Sequence, residues 1–347
     1  MRWASVKGKV ESMEGSSPKA ERKFSSQDVV KFLIQNKAAV LLLILCVVLS
    51  FVSPYFLTAK NLINVVRQAS VLAIMGIGFT LLLSSGSMDL SVGDLMAMTG
   101  VVIAILDAKI GVHPVLCMLA GVLVSVTGLC LNTFLVQTFK LPGFILTLAT
   151  GMVYQGILWL ISGGQSISGI SDTLKFIGQG EIFRIPVQIY LLAVILIFMT
   201  VLLRRTEFGR HSLAMGGNLD SARVCGINIT RNKYIIAVIM GACTAVAAMV
   251  TTGRAASAQL TAGSGTAMDT IAAVVIGGTP MEGGIANVPG TLVGCLLIQV
   301  ISNGLNLLDV NSNWHKVAKG VIIVVAIILD VQGTKILNRF RMKSKAE

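Results

Sequence analysis

Long apolar runs alternate with short polar breaks along most of the 347 residues, near 38–56, 62–84, 90–107, 114–138, 142–162, 187–203, 233–252, 268–279, 288–306 and 316–331. Turn-forming or charged residues bound each run, and most approach the roughly 20 residues that an α-helix needs to cross a hydrocarbon core. The pattern predicts an all-α fold, a polytopic transmembrane helical bundle of about ten spans. Two runs differ from the rest. Run 268–279 is short for a full crossing, and 316–331 opens on Lys316 and Lys319, whose stems can reach an interface.

The stretch from Gly253 to Gly290 holds eight glycines together with Pro280 and Pro289. A long lipid-facing helix does not tolerate that composition, because freed backbone groups find no water to bond. Short, broken helices inside the protein are expected, with close packing through small residues as the bland reading. Met88-Asp89 opens the third run and Met268-Asp269 opens the eighth. An offset of five spans reverses orientation, as an inverted repeat requires.

Composition agrees. Hydrophobic residues are 54% of the chain and charged ones 13%, against about 25% charged in ordinary soluble domains. The net charge of +12 raises nucleic acid as a partner, but 19 of the 28 Lys and Arg residues sit in 1–37, 204–233 and 331–347. Basic flanks beside apolar spans, without aromatic interleaving, fit the positive-inside rule and exclude a nucleic-acid partner. An even number of spans then places both termini in the cytoplasm, in a multi-pass protein of the cell (inner) membrane. The expected organisation is a cytoplasmic polar segment 1–37, a transmembrane domain 38–332 with a cytoplasmic loop 204–233, and a basic cytoplasmic tail 333–347. Run 38–52 lacks a small-residue cleavage site, so it reads as a retained span rather than a signal peptide. Five of the six cysteines fall inside apolar runs and none forms C-x-x-C, so they read as small apolar filler.

Enzymatic motifs are absent. The chain has no G-x-x-x-x-G-K-[ST] and no H-E-x-x-H, and His113, His211 and His315 are scattered. No catalytic residue, metal site or cofactor of its own is expected. Charges near or within spans are costly, which singles out Arg67 and Asp269. Asp89 and Asp269 read first as helix caps, where a carboxylate meets free amides and the positive dipole end. Asn132, Thr147, Gln155, Gln299, Asn303 and Asn306 lie inside spans and suit a path for a polar solute. Interhelical hydrogen bonding is their commoner use. Asn132, Thr147, Gln155, Asp269, Asn303 and Asn306 form the candidate translocation set.

Within loop 204–233, Leu219, Ala222, Val224 and Ile227 share roughly one helical face, and Gly226 suits a helix C-terminal turn. A short helix between glycine hinges reads as a docking element for a cytoplasmic partner. Gly216, Gly217, Asp220, Ala222, Arg223 and Gly226 are its candidate residues.

Several ordered segments carry a family resemblance. They are Asn61-Leu62 with Gln68-Ala69-Ser70, Gly86 to Gly93, Phe208 to Asn218, Ala222 to Ile227, Asp269 to Thr279, and Asn303 to Leu308. Over residues 55–332 the chain resembles the ribose-type sugar permeases of bacterial ATP-binding-cassette importers. The resemblance implies a second permease copy or paralogue, an ATPase subunit or fused tandem ATPase that binds ATP and Mg²⁺, and an extracellular or periplasmic sugar-binding protein. It also implies that the loop around Ala222 and Gly226 is the coupling helix seated in the ATPase. The chain departs from the family at Ser87-Met88, Asn132-Thr133 and Gln155-Gly156, where glycine-isoleucine, asparagine-glycine and arginine-glycine are usual. Other small polar solutes stay open, namely a nucleoside, a furanosyl signal molecule or a branched-chain amino acid. An ion-coupled secondary transporter is the rival class, but it favours an intramembrane acid–base relay, which is sparse here.

Overall fold

The computed structural model describes residues 37–311 together with Trp314, Val317, Ala318, Gly320, Val321 and Val324. The polar segment 1–37 (Lys37 apart), most of run 316–331 and the tail 333–347 lie outside the described residues. The helices are α1 Lys37–Val52, α2 Ala59–Ser84, α3 Val92–Ala104, α4 Pro114–Phe139, α5 Gly143–Ser162 and α6 Asp172–Gln179. They continue as α7 Val187–Arg205, α8 Glu207–Gly217, α9 Leu219–Val224, α10 Ile229–Ala255, α11 Thr266–Ile276 and α12 Val288–Leu307. A π-helical turn, Ile105–Lys109, prolongs α3. Two short antiparallel pairs complete the description, β1 (Ile167–Ser168) with β4 (Ser257–Ala258) and β2 (Glu181–Ile182) with β3 (Ile185–Pro186).

Local chemistry sets these boundaries. Thr58, Asn228 and Asn287 accept the backbone N–H groups of Asn61, Arg231 and Gly290, each satisfying a free donor of a first turn. Pro114 stands at the start of α4, where a missing N–H costs nothing. Lys140 in the left-handed region ends α4, and Gly163 in the same conformation ends α5.

α2, α4, α5, α7, α10 and α12 are long and apolar enough to cross a membrane. Two of them form the centre. The apolar stretches of α2 and α10 are 78% and 67% buried, against 28% for α4 and 22% for α5. α2 packs on α7, α10, α11 and α12, while α10 packs on α2, α3, α4 and α6. Lipid hydrocarbon is as apolar as leucine, so such helices associate by close approach of small residues rather than by hydrophobic exclusion. Gly294 of α12 accordingly abuts the Ala273 carbonyl of α11, and Gly241 of α10 abuts the backbone of Val126 in α4. Two pairs of buried hydroxyls bond across helices: Thr80 with Thr291 at 2.7 Å and Thr99 with Ser125 at 2.7 Å.

The glycine-rich stretch forms short, interrupted elements, and α11 has only 11 residues. At about 1.5 Å per residue that is roughly half of a 30 Å core. Run 90–107 is helical from Val92 through the π-helical turn to Lys109, and the chain enters it as irregular backbone from Gly86 to Leu90. The two interrupted segments meet tip to tip. A Cβ on Gly263 would lie 2.0 Å from the Gly93 carbonyl oxygen, so only two glycines allow this contact. From that point α3 runs toward the end of the molecule that carries β1 and β4, and α11 runs the opposite way.

Opposite directions fit an inverted arrangement, but Asp89 and Asp269 are not its equivalent residues. Asp89 lies three residues before α3, whereas Asp269 is the fourth residue of α11.

Candidate functional site

The contact between Gly93 and Gly263 lies near the middle of the bundle. Ser91 and Asp94 press on Gly151, the ninth of the 20 residues of α5. Around this level the first polar cluster assembles. Asp89 is 6% exposed and does not cap α3. Its Oδ1 accepts the Ser91 N–H at 2.8 Å and the Ser91 hydroxyl at 2.6 Å, and its Oδ2 accepts Asn132 Nδ2 at 2.8 Å. Tyr154 donates its hydroxyl proton within reach of Asn132 Oδ1 at 3.0 Å and the Gly128 carbonyl at 2.9 Å. Thr147 of α5 accepts the Leu90 N–H at 3.0 Å. A carboxylate is stable at this depth only when well hydrogen-bonded, and Asp89 accepts three bonds. The network pins irregular backbone to α4 and α5.

A second feature follows from the same geometry. Between β4 and α11 the chain descends from one end of the bundle to its middle without regular structure, and Gln259, Thr261, Ser264 and Gly265 are exposed along it. Asp269 is partly buried one turn farther on, in the first turn of α11. Irregular polar backbone at membrane depth is tolerated only against protein or water, never against lipid tails. This strip therefore faces a partner chain or a water-filled path.

The third feature joins the loop helices to the core. The C-terminus of α8 is wedged between two core segments: a Cβ on Gly216 would lie 2.0 Å from the Ser84 carbonyl oxygen and 2.6 Å from the Gly284 amide nitrogen. The Gly284 N–H itself donates to the Ser84 carbonyl at 2.8 Å. Three pieces of backbone thus meet at one point: the end of α2, the end of α8 and the loop following α11. A Cβ on Gly217 would meet nothing within 4 Å.

The loop itself differs from the expected single helix. α7 continues to Arg205, and the remainder is two helices, α8 and α9, hinged at Asn218. Asn218 accepts the Ser221 N–H at 2.8 Å and so starts α9. Gly226, at φ +83°, ends it, with Ile227 N–H donating to the Ala222 carbonyl and Gly226 N–H to the Arg223 carbonyl. That is a left-handed C-terminal turn of the kind in which a side chain is disfavoured. The expected common face of Leu219, Ala222, Val224 and Ile227 does not form. Ala222 is 3% exposed and packs on its own chain, whereas Val224 is 89% exposed. A six-residue helix is too short for its residues to keep one face. Asp220 and Arg223 pair at 3.8 Å on the exposed side.

Of the candidate path residues, Asn132 and Thr147 come together around Asp89 and Ser91, and Asp269 borders the strip. Asn303 lies elsewhere, in a reciprocal amide pair with Asn61 (2.8 and 3.0 Å) that clasps α12 to α2. Gln155 and Asn306 are exposed and stand apart from both clusters. Arg67 pairs with Glu181, tying α2 to β2. Sequence reasoning passed over Ser91 and Tyr154, which lie in apolar runs, and nothing local marks them. Ser264 and Gly265 were read only as part of a glycine-rich stretch.

Comparison with known proteins decides the family. Residues 61–327 match the family described as branched-chain amino acid transport system / permease component. The chain belongs to this permease family. Within it the permease is 37% identical over 291 residues to a ribose import permease of Bacillus subtilis, covering 83% of this chain and 90% of that protein. It is 34% identical over 292 residues to a D-allose transport system permease of Escherichia coli, covering 84% and 89%. A xylose transport system permease of Haemophilus influenzae is 30% identical over 361 residues, covering 85% and 96%. These relatives place the permease among the ribose-type sugar permeases of ATP-binding-cassette systems. No solved structure matches it.

Proposed function

We propose that this chain is the membrane-spanning subunit of a binding-protein-dependent importer that moves a monosaccharide, ribose or a related sugar, into the cell. The sugar class rests on the kinship with permeases named for ribose, xylose and allose. The energy source rests on the same kinship, and the transmission route rests on one geometric observation, the wedging of Gly216 between Ser84 and Gly284. A helix pair that projects from the bundle and touches two core segments at once can transmit an external stroke to both. ATP and Mg²⁺ belong to the partner ATPase, on which α9 docks through its outward residues Val224, Asp220 and Arg223. A second permease copy or paralogue covers the polar strip from Gln259 to Asp269, and a sugar-binding protein delivers the solute from outside. The chain itself hydrolyses nothing.

The basic residues of the loop, including Arg204, Arg205 and Arg210, support an orientation with α8 and α9 in the cytoplasm of a cell-membrane protein. A single cysteine at Thr206, on a cysteine-free background, is expected to react with an impermeant thiol reagent only after the membrane is opened. Labelling in intact cells would show the inverse topology.

The transmission role is tested at Gly226. A Cβ there meets nothing within 4 Å in this chain, so Gly226→Val acts first through the backbone, at φ +83°. The cost is about 1–2 kcal/mol. The expected result is normal insertion and binding-protein docking, ATPase activity still stimulated by loaded binding protein, and uptake reduced about tenfold, since 1.4 kcal/mol is a factor of ten. The measurement pairs ATP hydrolysis with uptake in proteoliposomes containing all subunits. Wild-type uptake in a normally expressed variant would remove α9 from the transmission route, and uptake by the permease alone would remove the importer reading itself.

A further inference from the structure

At the end of the bundle that carries α8, a cavity of about 400 Å³ lies between α4, α5 and α10, separate from the polar strip. Its lining changes character from the mouth inward. Leu141 and Phe144 line it and are 46% and 50% exposed, so the mouth is apolar and opens beside the outer faces of α4 and α5. The lining also holds Gln137, Lys233 and Ser87, which are partly buried, and Asp89 with Asn132, which are buried.

The unfilled hydrogen-bonding capacity there is of one kind. Gln137 Nε2 is buried with no acceptor. Lys233 is partly buried, and no carboxylate lies within ion-pair distance of it among the described residues. Pro142, which precedes α5, offers the first amides of that helix no side-chain acceptor. Asp89 does not pair with these donors: it is buried, and the bonds it accepts come from Ser91 and Asn132. A buried orphan amide is costly unless a ligand supplies an acceptor, and the partly buried Lys233 ammonium stands ready to share that ligand.

We infer that this cavity holds the phosphate headgroup of an anionic phospholipid, with Lys233 and Gln137 as donors and the acyl chains lying over Leu141 and Phe144. A ligand that brings acceptors and an apolar body through an apolar mouth is a lipid rather than a free sugar. Basic pockets between transmembrane helices on the cytoplasmic side are a known setting for such headgroups. The function is structural and regulatory. A seated headgroup braces the start of α5 against α10, next to the irregular segment from Gly86 to Asp89 that Gly216 touches from the other side.

The test uses the full-length permease with Phe144→Trp as the single indole, Trp3, Trp159 and Trp314 being replaced by Phe. It is reconstituted in phosphatidylcholine vesicles containing a minor fraction of dibrominated phosphatidylglycerol or dibrominated phosphatidylcholine. Expected is at least about twofold stronger quenching by the anionic lipid. That preference should vanish in Lys233→Ala, weaken in Gln137→Ala and persist in Lys233→Arg. Equal quenching by the two lipids, or an unchanged preference in Lys233→Ala, overturns the assignment. So does relief of quenching by inorganic phosphate, which would make the site one for a free anion. Relief by ribose would make it part of the sugar path. Should Lys233→Ala fail to assemble, the Gln137→Ala and Lys233→Arg pair still decides the question.

Discussion

Gly216→Val is expected to cut sugar uptake at least about tenfold, while Gly217→Ala, one residue on, leaves it unchanged. The two positions share composition and helix, and differ only in what surrounds them. A side chain at 216 would overlap the Ser84 carbonyl oxygen and the Gly284 amide, both backbone atoms that cannot rotate away, whereas 217 faces open space. Overpacking against a rigid neighbour costs about 1–3 kcal/mol or more. Here the strain falls on the one junction that links α8 to α2 and to the loop following α11. Uptake and the yield of assembled complex, measured side by side in proteoliposomes with the partner subunits, separate a transmission defect from an assembly defect. Normal uptake in Gly216→Val would mean that the three backbones do not move as a unit.

Asp89→Ala carries the second large effect. Removing the carboxylate deprives Ser91 N–H, the Ser91 hydroxyl and Asn132 Nδ2 of their shared acceptor inside the bundle. Buried donors left without a charged acceptor cost about 2–5 kcal/mol together, so the variant should unfold at clearly lower temperature in detergent. Asp89→Asn keeps one acceptor oxygen and should lose less. Because Asp89 and Asn132 act through one network, the double variant Asp89→Ala/Asn132→Ala should be less damaged than the sum of the singles by about 1 kcal/mol or more. Additive losses would show that Asp89 serves some purpose other than anchoring the α3 segment to α4.

Much of this architecture was legible in the chain. Apolar run length located α2, α4, α5, α7, α10 and α12 to within a few residues, because a helix that crosses lipid must satisfy its backbone internally and be apolar along its whole length. The glycines and prolines between 253 and 290 marked the broken segment for the same reason. Gly226 was readable as a helix stop, since a left-handed turn is a local demand on one residue. The misreadings were non-local. Asp89 reads as a cap from its neighbours, and it does accept the Ser91 N–H, but the bond that ties it to another helix comes from Asn132, 43 positions away. Asn303 looks like a path residue until Asn61 is brought against it from 242 positions away. The supposed common face of Leu219, Ala222, Val224 and Ile227 failed because periodicity needs more than six residues to be meaningful.

Hydropathy, charge distribution and turn chemistry are properties of short windows, so the sequence by itself determined a multi-span helical membrane protein with a basic, structured loop. Which glycine is a hinge, which a contact and which merely tolerated was decided only in the tertiary structure. Gly216 and Gly217 are identical as residues, and a missing side chain matters only where another backbone occupies its place. The same holds for the polar residues. Whether an asparagine within a span clasps a helix, as Asn303 does, or completes a buried carboxylate, as Asn132 does, depends on what folding brings within 3 Å of it, a distance that no local pattern encodes.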